Sequence, residues 1–306
     1  MDYSKIPVVL LFIISMIACC AGGFARAYYS KRITSSSKDY NLFNATVSII
    51  ATILLFVLGG FDTRISSFTL IMGVLFGVIT MLNTVLTSIA INLGPLSYSY
   101  VIIYSSTIVT ALSGYLFWDE PLTILKVIGI FLMFICCVFA NQKESQNKKA
   151  TAKWLLVCIL NAFTSAGVGL MQKTHQSSAY RDELNMFLVV TFIVSALASF
   201  VFYIAASIKK KSFAVEYNGN LTAKKLVSAV VVIFVITGIG VSINNAFNLY
   251  LTGVVPSAIF FPIANGGIIM FNILVSFLFF REKLTGKQWL GLLFGISAIA
   301  CLCIKV

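Results

Sequence analysis

The side chains in this chain best suited to chemistry are asparagines that interrupt long apolar runs. Asn83 and Thr87 are four residues apart, as are Asn244 and Asn248, and Asn265 and Asn272 are seven apart. On a helix, each of these pairs would share a face. Asn245 and Asn161 add further amides, with hydroxyls from Thr84, Ser165 and Ser242. An amide offers both a donor and an acceptor, which suits zwitterions, sugars or amide-like solutes. Tyr98, Tyr100 and Tyr104, with Phe260 and Phe261, supply aromatic surface that could stack a flat ligand or hold a quaternary amine. Tyr104 lies deepest of the three tyrosines in its run. Polar groups in hydrocarbon need a partner or a water-filled cavity, so these positions mark a path. Any one of them alone reads first as glue between helices, ahead of a ligand contact. The set is read as a substrate site because Asn83 and Asn245 correspond under the internal repeat described below.

The charged residues are arranged differently. All ten acids fall in connections or at helix ends, so no carboxylate is available mid-span to carry a coupled proton. Facilitated diffusion or exchange fits this pattern better. Glu120 and Glu282 precede Thr123 and Thr285, which can cap the helices that follow, and Thr285 with Gln288 has capping-box spacing. These glutamates are read as structural or gating residues. Arg26 and Lys173 lie near helix ends, where snorkelling to an interface outweighs binding a phosphate. The seven cysteines lie inside apolar runs and the single histidine, His175, is far from them, so no metal and no cofactor are expected. No Asp-rich metal motif and no histidine-activated nucleophile is recognisable, and the chain is read as not an enzyme.

The elements that hold these groups follow from composition. Of 306 residues, 59% are hydrophobic and 10% charged, whereas soluble domains run near 45 to 50% and 25%. That describes an all-α integral membrane protein. The net charge of +12 belongs to loops beside an anionic membrane face, with no nucleic acid implied. Runs long enough to cross a bilayer predict ten transmembrane helices near 7–29, 41–58, 67–93, 95–118, 123–140, 154–174, 183–208, 225–252, 256–280 and 285–304. The first run continues too far past its small residues to be a signal peptide. Pro262, followed by Gly266 and Gly267, predicts a kink in the ninth helix that could serve as a gate or as fixed shape.

Sliding the chain against itself by 162 residues places Trp118-Asp119-Glu120-Pro121-Leu122-Thr123 on Phe280-Arg281-Glu282-Lys283-Leu284-Thr285, Gly129 on Gly291, and Asn83 on Asn245. Two five-helix repeats follow, at 1–143 and 150–306, joined by a polar connection at 141–153. Five being odd, the second repeat enters the membrane inverted. With these closing motifs, the chain resembles the EamA-type members of the drug/metabolite transporter superfamily over nearly its whole length. The resemblance implies a secondary transporter, often an exporter of small metabolites, with a central site between the repeats and alternating access. The expected partners are a small-molecule substrate, of amino-acid-like or other neutral or zwitterionic type, and the lipid bilayer of the cell membrane. A homodimer is left open. The alternatives are an organic cation or drug exporter using the aromatic site and, in a different class, a non-transporting receptor or scaffold. Sixteen of the 22 basic residues lie on the side away from the termini. The basic bias therefore puts the termini outside, whereas the resemblance implies termini inside.

Overall fold

The computed structural model describes residues 3–29, 33, 36–93, 96–140, 151–215, 217, 223–280 and 284–304. Long helices make up almost all of this, and there is no strand among the described residues. They are α1 (Val8–Tyr28), α2 (Ser37–Leu58), α3 (Ser67–Leu93), α4 (Leu96–Phe117), α5 (Ile124–Ala140), α6 (Ala152–Gln176), α7 (Leu184–Lys210), α8 (Ala223–Val254), α9 (Ser257–Phe280) and α10 (Gly286–Cys303). Each predicted span is found, and α3 has the predicted bounds. Nine are long and apolar enough to cross a membrane, and α5 is shorter at 17 residues. Their outer faces are apolar: Val9, Phe163 and Leu278 are each more than 60% exposed. Water would penalise such a surface, and a bilayer matches it.

The helix starts follow local chemistry. The Thr151 side chain accepts from Trp154 N–H to begin α6, and Thr285 with Gln288 forms the anticipated capping box on α10. Ser66 accepts from Thr69 N–H at the start of α3, while its own N–H and hydroxyl donate to Glu183 Oε2 at 3.0 and 2.7 Å. Helix α6 runs on through His175, which is fully buried beside Gln176 instead of lying in a polar connection. Pro262 sits inside an unbroken α9.

The described residues divide into two compact units that differ from the two halves of the sequence. The first comprises Met1–Val78 and Ala179–Tyr250, the second Ile79–Ser178 and Leu251–Val306. Each therefore mixes helices from both halves, and α3 and α8 each contribute to both. In the first unit, α2 lies along α7. Helix α1 meets α8 where Gly22 faces Gly240, and a Cβ on Gly240 would lie 2.5 Å from the Ala18 carbonyl oxygen, so only glycine permits this approach. Tyr29 stacks on Phe43 at 4.4 Å, and Phe234 meets Phe43 edge-on at 5.1 Å. In the second unit, α5 lies along α10 around Met133, Cys136, Met270, Leu292 and Ala298, and α4 packs on both α6 and α9.

Candidate functional site

The second unit gathers most of the polar residues singled out in the sequence. Asn83 of α3 points its amide nitrogen at α6, 2.7 Å from Asn161 Oδ1, 2.6 Å from Ser165 Oγ and 3.1 Å from Thr164 Oγ1. Asn161 is fully buried and donates back to Thr87 Oγ1 at 2.8 Å, and Thr87 donates to the Asn83 carbonyl. The ring closes on itself. An amide carries two N–H donors, and both are taken by protein acceptors here. This crossing therefore behaves as the interhelical glue that any one of these residues suggests. Thr164 had drawn no notice in the sequence, since a lone threonine in a span is ordinary.

Helices α4 and α9 carry a more open group. Asn265 is exposed between the buried Ala264 and Gly266, and its amide donates to Thr107 Oγ1 of α4 at 3.1 Å. Asn272, seven residues on along the same face, is exposed as well. On α4, Tyr100 and Tyr104 are half-buried and stack at 5.7 Å with an interplanar angle of 18°. Exposed amides mid-way along a spanning helix need a polar partner, whether protein, water or a polar ligand. A short column of π-faces and amides, free of net charge, is thus accessible on this unit.

The first unit holds the other three asparagines. Asn244 donates to Ser15 Oγ at 2.9 Å and to the Ser15 carbonyl at 3.2 Å, while Ser15 donates to Asn248 Oδ1 at 2.8 Å. These bonds tie α8 to α1. Ser15 is buried and is a lone hydroxyl in a long apolar run, so nothing in its sequence context distinguished it. Asn245 donates to the Val241 carbonyl of its own helix at 2.8 Å. Asn83 and Asn245 fall in different units, and each bonds locally in its own way.

The end of α6 corrects one expectation. Lys173 does not snorkel. It is 5% exposed, forms an ion pair with Glu120 and donates to the Thr252 carbonyl at 3.0 Å. The other oxygen of Glu120 accepts from Ser257 N–H at 2.6 Å, capping α9. The helix that Glu120 caps is α9 and not the adjacent α5. Glu282 lies outside the described residues. Among the described residues, no cluster of His, Cys, Asp or Glu could hold a metal ion.

Residues 6–142 match the family model described as the EamA-like transporter family. That segment, somewhat less than half of the chain, is similar to the EamA-like transporter family. The match spans the first five helices, and members of the family are transporters rather than enzymes. The similarity and the long apolar helices together support a multi-pass membrane protein. No curated protein matches it. A solved structure titled only as the crystal structure of a protein aligns over 97% of this chain and 96% of its own, with a TM-score of 0.71 at 13% identity. At that identity, the similarity establishes a shared fold.

Proposed function

We propose that this EamA-like chain is a secondary transporter of the cell membrane that moves a small neutral or zwitterionic solute by alternating access of two inverted five-helix repeats. The observation that carries the substrate class is the uncharged polar column of Asn265, Thr107, Tyr104 and Tyr100. A solute with a permanent net charge would leave that charge without a counter-ion there, at a cost of several kcal/mol. The inverted repeat is supported by the helix pairing. Helices at equivalent places in the two halves lie against each other, α2 on α7, α4 on α9 and α5 on α10, and the polar crossings α3 to α6 and α8 to α1 are equivalent by the same exchange. The second unit holds helices from both repeats, so a substrate there would touch both.

The test is uptake by sealed proteoliposomes of labelled amino acids, polyols, quaternary amines and sugar phosphates, with a thermal-shift screen on the purified protein. A neutral or zwitterionic solute should be translocated, with Asn265→Leu and Tyr104→Ala each reducing uptake at least about tenfold at unchanged melting temperature. Binding without translocation would make the chain a receptor. Uptake confined to sugar phosphates would refute the uncharged site. The stacked tyrosines support a second reading, an organic cation held by cation–π attraction. That reading wins if quaternary amines alone are carried.

A further inference from the structure

Helices α2 and α7 leave a groove between them on the apolar surface of the first unit, with a volume of about 360 Å³. Ala45, Ile49 and Ile53 form one wall, and Ala196, Leu197 and Phe200 the other. Along α7 the lining residues recur at three- and four-residue intervals, and the same stripe continues through Ile204 to Lys211, with Lys210 at its edge. Lys209 falls on the opposite face. Lys210 and Lys211 are exposed, and at a rise of 1.5 Å per residue Lys211 stands about 16 Å from Phe200 along the helix. That is the depth of one leaflet of hydrocarbon, roughly 15 Å.

This end of the groove is built rather than loose. Lys210 Nζ donates to Ser36 Oγ at 3.2 Å, pinning α7 to the start of α2. The fully buried Lys38 donates to the carbonyls of Ser212 and Ala214, holding the turn after Lys211 across the top of α2. Tyr203 donates to the Phe213 carbonyl at 2.8 Å, and the Phe213 ring remains 59% exposed, as an aromatic at a membrane interface would be. Lys211 takes a left-handed conformation, φ 51°, which ends the helix and turns the chain.

We propose that this feature is a binding site for one anionic phospholipid, its headgroup on Lys210 and Lys211 and an acyl chain in the α2–α7 groove. Charge complementarity selects this occupant. The groove is lined almost wholly by apolar side chains, the exposed charges described at its open end are Lys210 and Lys211 while Asp39 is buried against Lys38, and this is the basic-rich side of the chain.

Native mass spectrometry of the detergent-purified full chain, offered equal amounts of phosphatidylglycerol and phosphatidylcholine, tests the site. One phosphatidylglycerol should be retained about tenfold or more over phosphatidylcholine. K210Q/K211Q should bring the two lipids to parity, K209Q should change nothing, and Ala196→Phe should lower retention of both. Parity in the unaltered protein would overturn the proposal. So would full displacement of the lipid by inorganic phosphate, which would show a headgroup site without the groove. A dimer abolished by Ala196→Phe would overturn it too, by giving the groove to a second copy. Because Lys210 and Lys211 are exposed at the end of α7, the lysine variants decide the matter even where Ala196→Phe fails to fold.

Discussion

The two units solve one problem with unequal means. Each joins a central helix to a first helix of the opposite half through amides and hydroxyls, α3 to α6 in one and α8 to α1 in the other. In the second unit, a single amide nitrogen meets three side-chain acceptors and the partner asparagine donates back. In the first unit, one serine relays between two asparagines. Each unit buries an ion pair, Lys173 with Glu120 in the second and Lys38 with Asp39 in the first, but the stacked Tyr100 and Tyr104 and the exposed Asn265 belong to the second. A scaffold with matching helix exchanges thus supports chemistry on one side that the other lacks. Repeats can diverge in their polar residues while the apolar packing that sets helix order is kept.

The sharpest way to break that contrast is at Lys173. Lys173→Met leaves Glu120 buried without its counter-ion while the carboxylate still caps α9, and should cost about 3 to 5 kcal/mol of stability. Adding Glu120→Gln to that variant should recover most of the loss, because no buried charge then remains. Thermal unfolding in detergent measures both, and equal melting temperatures for the single and double variants would contradict the pairing. A smaller difference separates the two crossings. Asn83→Ala orphans buried acceptors around Asn161 and should cost about 1 to 2 kcal/mol. Asn244→Ala should cost about 0.6 kcal/mol, near the average for membrane hydrogen bonds. A reversed order would show that the denser network is not the stronger one.

The smallest effect is expected at the loop between α2 and α3, where Asp62 and Arg64 form an exposed pair. Hydrogen bonds from Arg64 hold the Asp62 carboxyl down at about 2. A carboxyl held low in the folded state stabilises above its ordinary value near 3.8 and loses that contribution as the pH falls towards 2. The pair is solvated, so Asp62→Asn should leave the melting temperature unchanged from pH 5 to 8. A clear drop there would give this loop a structural role.

Apolar length made the ten helices legible in advance, and Thr285 with Gln288 foretold the cap on α10, because both signals are local. The pairing of Lys173 was hidden for the opposite reason. Its partner lies 53 residues earlier in a loop, and position alone made snorkelling the natural reading. Lys38 was concealed likewise, since its carbonyl acceptors come from a turn more than 170 residues away. The asparagines were visible as a group, yet their division into saturated crossings and an open column depends on rotamers and neighbours that spacing does not fix. The compact units cut through α3 and α8, a boundary that continuous hydrophobic runs cannot mark.

The α3 to α6 crossing also bears on how the protein is made. Asn83 enters the bilayer on a helix whose acceptors are synthesised about 78 residues later, and Ser15 waits for an asparagine 229 residues downstream. A nascent chain that has released only its first five helices therefore carries polar groups still unmatched in lipid. The second half acts as an internal chaperone for the first, and a chain truncated after α5 would be expected to be retained by the insertion machinery and degraded.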